Sequence, residues 1–144
     1  MHKPIRLAVI GSGRWGKNIL KTLETLPECI VAYTATREYA TLLSKDDIDA
    51  VVVATPGSTH VQVALPFIQK GLPTFIEKPM TTTIAEAKRV VAAGKKHKAP
   101  IFVGHIHLYN PAYLAVKNLA KTAGKLLLMI GEGASNGPLR DDMS

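Results

Sequence analysis

At 144 residues, with 47% hydrophobic and 20% charged residues, the chain is long enough for one ordinary globular domain and too short for two. Its single cysteine excludes an internal disulfide, and no apolar run approaches the roughly 20 residues of a membrane helix, so we expect a cytoplasmic protein without an anchor. Scattered basic residues give a formal net charge of +7, which suits small anionic partners such as nucleotides and argues against a nucleic-acid site.

The first predicted unit is a strand, a tight turn and a helix within residues 7–26. A short apolar run precedes glycines spaced G-x-G-x-x-G, and an amphipathic segment follows them. In this context the first glycine makes the turn, the second lets the backbone approach a pyrophosphate, and the third lets the helix pack on the strand. The helix N-terminus favours anions. We therefore predict a dinucleotide site, with a purely structural turn as the alternative, at Gly11, Gly13, Arg14, Trp15 and Gly16.

Trp15 directly follows the glycine turn, and two interpretations of it remain open. Its ring packs either over the cofactor or against the neighbouring loop.

The second predicted strand, residues 30–34, lacks the acidic residue that usually holds the adenosine ribose about 20 residues beyond the glycines. Thr34, Thr36 and Arg37 stand there instead. Hydroxyls followed by a guanidinium can accept a 2′-phosphate, so we expect NADP to be accepted as well as NAD. The alternative is that Thr36 caps the next helix and Arg37 is solvated.

The rest of the chain alternates short apolar strands with helices. Strands are predicted at 50–54, 74–76 and 101–104, and helices at 38–44, 60–70, 84–97 and between Asn110 and Gly124. This alternation indicates an α/β doubly wound (Rossmann) domain with a parallel sheet. The interval after the second strand is so short that one helix-strand pair is expected to be missing there. Residues 126–130 are predicted to form one more strand, and 131–144 a loop.

Four motifs occur in one order: the glycine turn, Thr55-Pro56 with His60, Glu77-Lys78-Pro79, and Gly104-His105 through Asn110-Pro111. Together they resemble the N-terminal half of the glucose-fructose oxidoreductase, inositol dehydrogenase and rhizopine-catabolism family. The resemblance covers nearly the whole chain. It rests on the ordered set, because each motif by itself is common.

The resemblance implies an oxidoreductase that uses NAD or NADP and acts on a secondary alcohol of a sugar, cyclitol or nucleotide sugar. It places the cofactor against Thr55, Pro56, His60 and Glu77, and it places Lys78 near both the nicotinamide and the substrate hydroxyl. As a catalytic residue, Lys78 would orient that hydroxyl and take part in proton transfer. The alternative is a strand-end lysine paired with Glu77. His60 either contacts the cofactor or is a polar group at the rim of the sheet.

Contact with the substrate is one interpretation of His105 and Tyr109, and local packing is the other. His105 and His107 alternate along a segment interpreted as extended. They then face opposite sides, so no metal site is predicted.

Residues 1–124 are predicted to form the dinucleotide-binding domain and residues 125–144 the opening of a C-terminal substrate domain that is otherwise absent. On this interpretation the chain is an incomplete catalyst, and its exposed second-domain face leads to self-association or a homo-oligomer. Two other classes remain open. One is a non-catalytic NAD(P)-binding module that acts through a partner chain, and the other, a nucleic-acid binder, rests on net charge alone.

Overall fold

The computed structural model of the chain describes residues 3–125 and 127–132 in two units, the first ending at His105 and the second beginning at Ile106. The first unit contains a five-stranded sheet in which all neighbouring strands are parallel. Its strands are β1 (Ile5–Ile10), β2 (Cys29–Ala35), β3 (Ala50–Val53), β4 (Thr74–Ile76) and β5 (Ile101–Val103), in the spatial order β2-β1-β3-β4-β5. The predicted α/β doubly wound fold is confirmed.

Three α-helices of the first unit connect these strands: α1 (Arg14–Leu23), α2 (His60–Gln69) and α3 (Ile84–His97). Helix α1 packs on β1 and β2, and α2 packs on β3, β4 and α3. Helix α3 begins at the capping box that its sequence indicates, in which Thr83 Oγ1 accepts a hydrogen bond from the Glu86 amide at 3.2 Å.

The connection from β2 to β3 is short. Strand β2 is an edge strand, and the chain passes from it to the far side of β1 through one 3-10 helix, Tyr39–Ser44. A doubly wound half normally places a further strand and a helix in this interval. Within residues 3–125 that helix-strand pair is missing, as the sequence indicates.

The core lies where the sheet meets helix α2. The inner strands β1 and β3 are nearly continuous apolar runs, which is typical of parallel strands that are covered on both faces. Ile10, at the end of β1, Ile76, at the end of β4, and Phe67 of α2 are completely buried members of one apolar cluster.

Asp47 ties the segment before β3 to β1 and to the edge strand β2. Its carboxylate accepts hydrogen bonds from Tyr33 Oη at 3.0 Å and from Arg6 Nη2 at 2.5 Å. The Tyr33 hydrogen bond, followed by the bond and charge of Arg6, holds the pKa of Asp47 below its ordinary value of 3.8.

We expect Asp47→Asn to lower the urea midpoint at pH 7 and to have less effect in acid. A pKa that is lower in the folded state stabilises the protein above the unfolded value of 3.8, and this stabilisation is lost as the pH falls through the lower, folded value. Urea unfolding of both proteins from neutral to acid pH is the measurement. A difference in midpoint that stays constant with pH would contradict the assignment.

The second unit contains a 3-10 helix, Ile106–Tyr109, and helix α4 (Pro111–Ala120). The predicted start of α4 is confirmed, because Asn110 Oδ1 accepts a hydrogen bond from the Ala112 amide at 2.9 Å. Two predictions are wrong. Residues 106–109 are helical rather than extended, and residues 127–130 form no strand and are at least 68% exposed.

The apolar run at 127–130 pairs with no strand of the described residues, and an extended segment without a paired neighbour is not stable as a strand. Residue 126, and the predicted loop from residue 133 onward, lie outside the described residues. Of the helices in the described ranges, none has both the length and the apolar character needed to cross a bilayer.

Candidate cofactor-binding site

The carboxyl ends of the parallel strands lie along one edge of the sheet, and the predicted site residues follow them. Backbone hydrogen bonds hold these strand ends together, with Ala54 N donating to Ile10 O at 2.8 Å and Glu77 N donating to Val53 O at 2.9 Å. Ligands of open α/β sheets bind outside this edge, at the point where the strand order reverses. In this sheet the reversal occurs at β1, which lies between β2 and β3.

Two glycines of the turn after β1 are required by packing. Gly11 has a φ of +104°, and a Cβ atom there would lie 2.5 Å from the Ala54 carbonyl oxygen. A Cβ atom on Gly16 would overlap the Gly11 carbonyl oxygen. Gly11 therefore brings the turn against the end of β3, and Gly16 lets helix α1 lie against the turn.

Gly13 differs from its neighbours. Its φ of −66° is available to any residue, and apart from its chain neighbours no described residue has an atom within 4 Å of a Cβ atom built there. Gly13 is also the N-cap of α1. Because it has no side chain, it provides no side-chain acceptor for the first amides of the helix. A side chain at this position would fill the space above the helix N-terminus, where a pyrophosphate would bind.

A hollow of about 430 Å³ lies at the end of β2. Its lining residues are Thr34, Ala35, Thr36, Arg37, Glu38, Thr41 and Leu42. All three residues predicted to hold the adenosine ribose or its phosphate thus share one cavity. The N-cap of the following 3-10 helix is Glu38, so the alternative in which Thr36 caps that helix is wrong.

Sequence reasoning missed Glu38, which also lines the hollow. A ribose-binding carboxylate is usual directly at the end of the strand, whereas Glu38 lies three residues beyond Ala35. The signal that could have found it is the adjacent Arg37-Glu38 pair. The hollow thus offers both a guanidinium for a phosphate and a carboxylate that can accept from ribose hydroxyls.

The turns after β3 and β4 are linked by His60. Its side chain is 1% exposed, with Nε2 2.8 Å from the Thr55 carbonyl oxygen and Nδ1 2.8 Å from the Pro79 carbonyl oxygen. Thr59 Oγ1 lies 2.7 Å from the Pro56 carbonyl oxygen and closes the first turn. His60 is thus inside the protein between two site turns, a position that the sequence pattern did not indicate.

Glu77 and Lys78 both follow β4, but Glu77 is buried and Lys78 is exposed to solvent. Glu77 is 5% exposed, and its Oε2 accepts a hydrogen bond from the Lys78 amide at 3.0 Å. Its carboxylate lies against Gly104, where a Cβ atom would be only 2.9 Å from Oε1. The Lys78 side chain is exposed and, within the described residues, forms no ion pair with Glu77. The predicted alternative of a Glu77–Lys78 pair is therefore wrong.

The remaining predicted residues are exposed. Arg14 and Trp15 lie in the first turn of α1, and Trp15 is 41% exposed, so its ring is available to a ligand on that surface. His105 follows β5, while Tyr109 belongs to the second unit. The described residues include no group of three or more His, Cys, Asp or Glu that could hold a metal ion.

The chain is similar to several known oxidoreductases. An inositol 2-dehydrogenase from Corynebacterium glutamicum strain R is 28% identical over 91% of this chain and 46% of its own length. A crystal structure described as an oxidoreductase from Magnetospirillum magnetotacticum is 34% identical, with a TM-score of 0.79, over 85% of this chain and 45% of that one. A 3-ketoreductase from Actinomadura kijaniata, solved with TDP-benzene and NADP, is 25% identical, with a TM-score of 0.77 and the same coverage. The chain spans about half the length of these relatives.

A family model described as an oxidoreductase family with an NAD-binding Rossmann fold matches residues 27–105, more than half of the chain. The match includes the turns after β3 and β4, and the glycine turn at the end of β1 precedes it. The chain therefore belongs to this oxidoreductase family, the glucose-fructose oxidoreductase, inositol dehydrogenase and rhizopine-catabolism family that its ordered motifs resemble.

Proposed function

We propose that this chain binds NAD or NADP along the carboxyl edge of its sheet and is the cofactor-binding half of an oxidoreductase. The substrate class is a secondary alcohol of a sugar, cyclitol or nucleotide sugar. The observation that carries the proposal is the open space at Gly13, above the N-terminus of α1 and between two glycines that packing requires.

The edge of the sheet offers a separate surface for each part of a dinucleotide. The hollow beside Arg37 and Glu38, at the end of β2, suits the adenosine ribose. The glycine turn at β1 suits the pyrophosphate. The turns after β3 and β4 then receive the nicotinamide half, because the strand order places them on the far side of β1 from the hollow.

Lys78 is the proposed catalytic residue. When bound, the cofactor would supply the hydride acceptor for alcohol oxidation. The exposed ammonium of Lys78 can donate a hydrogen bond to a substrate hydroxyl oxygen and so orient it beside the nicotinamide half. The buried carboxylate of Glu77 holds the backbone amide of Lys78 and so fixes the start of that turn.

We expect Arg37→Glu to weaken NADPH binding more than NADH binding, by about 1 to 3 kcal/mol, because a guanidinium that contacts the 2′-phosphate is lost. Isothermal titration with both cofactors is the measurement. Lys21→Glu, on the exposed last turn of α1, makes the same change in charge away from the hollow and serves as the control. Equal losses for both cofactors would assign Arg37 to the solvated surface.

The alternative is a non-catalytic NAD(P)-binding module that works through a partner chain. The exposure of Lys78 favours it, since nothing described around this lysine excludes water. A chimera in which this chain replaces the cofactor half of the Corynebacterium glutamicum inositol 2-dehydrogenase separates the two functions. We expect inositol-dependent reduction of NAD or NADP that falls about 100- to 10,000-fold in Lys78→Ala. A chimera that binds cofactor but is inactive would favour the module.

A further inference from the structure

Helix α2 begins with a side chain that is directed inward. His60 is among the largest fully buried side chains of the described residues, at 1% exposure. Its two ring nitrogens reach the carbonyl oxygens of Thr55, after β3, and Pro79, after β4, both at 2.8 Å. One ring thus spans two turns that belong to different strands.

Both partners of the ring are acceptors, so each contact requires an N–H on the ring. The neutral imidazole donates to one of the two oxygens, and the imidazolium donates to both. Buried carbonyl oxygens are costly to leave without a donor. An apolar ring of the same size would fill the space but could donate to neither turn.

Little else joins these turns. Gly57 lies close to Pro79, where a Cβ atom would be 3.5 Å from Cδ, an ordinary apolar contact. Among the described residues, no backbone hydrogen bond connects residues 55–59 to residues 78–82. Beyond the strand ladder, which ends at the Glu77 N–Val53 O hydrogen bond, His60 is therefore the polar link between these two turns in the described residues.

We propose that His60 is a positioning residue that holds the Thr55 turn and the Lys78 turn at a fixed distance, so that the nicotinamide half of the cofactor meets a preformed surface. The inference rests on the proposed function. His60 acts through the two carbonyl groups and touches neither cofactor nor substrate. Because the adenosine hollow is at β2, on the other side of β1, the positioning affects only one half of the cofactor.

The test compares NADH with ADP, which has the adenosine and the two phosphates but no nicotinamide. By isothermal titration, we expect His60→Phe to weaken NADH about tenfold because the turns must then be ordered on binding. ADP affinity should stay within about twofold of the wild type. His60→Gln, which retains one donor group, should recover part of the NADH affinity. Ile68→Val, a fully buried change in the same helix, controls for a general loss of stability.

Equal changes for NADH and ADP, or unchanged NADH affinity in both His60 variants, would overturn the positioning role. A wild-type chain that binds neither ligand would instead contradict the proposed function. In that case amide hydrogen exchange on the ligand-free proteins still decides the structural claim. We expect faster exchange in His60→Phe at Thr59, whose amide donates to the Pro56 carbonyl oxygen at 2.8 Å, with β1 and β3 unchanged; unaltered exchange at this turn would refute the link.

Discussion

Gly13→Val is expected to lower the affinity for NADH and NADPH by more than about a hundredfold while leaving the fold intact. The backbone at Gly13, with a φ of −66°, accepts a side chain without strain, and apart from its chain neighbours no described residue has an atom within 4 Å of the new Cβ. The valine would instead occupy the space in which the backbone approaches the pyrophosphate. Isothermal titration with both cofactors, beside thermal unfolding of the same samples, is the measurement.

Gly16→Ala is the matched control for this result. Its Cβ atom would overlap the Gly11 carbonyl oxygen, so this smaller change should destabilise the protein by about 1 to 3 kcal/mol or more. Gly13→Val should therefore lose binding without losing stability, whereas Gly16→Ala should lose stability first. A folded Gly13→Val protein that titrates like the wild type would remove the basis for the cofactor site.

The second large effect concerns catalysis: the 144-residue chain, assayed alone, is expected to form no NADH from sugars or inositols at an enzyme-like rate. Hydride transfer requires the alcohol carbon to be held against the nicotinamide, and such positioning can supply about 7 to 11 kcal/mol of a barrier. Lys78 is exposed. In the part of the chain that the structure describes, it is the one side chain that we propose to orient the substrate hydroxyl. A single exposed lysine does not provide that positioning.

A panel of sugars, inositols and nucleotide sugars, assayed by NADH absorbance with light scattering on the same sample, tests this expectation. The apolar residues 127–130 are 68% to 87% exposed, so we expect a dimer or a soluble aggregate rather than a monomer. Monomeric protein with robust turnover that Lys78→Ala abolishes would show that this short chain is a complete enzyme.

The main features of the fold were predictable because they depend on local patterns. The apolar runs predicted β1 and β3, and the Thr83 and Glu86 pair predicted the start of α3, since a capping box is formed by residues three apart. The short interval after β2 predicted the missing helix-strand pair. The strand at 127–130 was a wrong prediction, because an apolar run forms a strand only beside a partner strand.

The arrangement of the site was less predictable. The contact of His60 with two carbonyl oxygens depends on how two turns from different strands pack, and no sequence spacing records that distance. The position of Glu38 in the hollow was not predictable, because it lies three residues beyond the end of β2 rather than directly at the strand end. The exposure of Lys78 likewise depends on which other residues pack against the carboxyl ends of the strands. The Glu77-Lys78-Pro79 motif by itself does not determine it.

Isothermal titration of the wild-type chain with NADH, NADPH and a DNA duplex tests the central claim most directly. We predict that both cofactors bind at one site per chain and that the duplex gives no binding heat. Folded protein that gives no heat with either cofactor, or that binds only the duplex, would contradict a dinucleotide site at the carboxyl edge of this sheet.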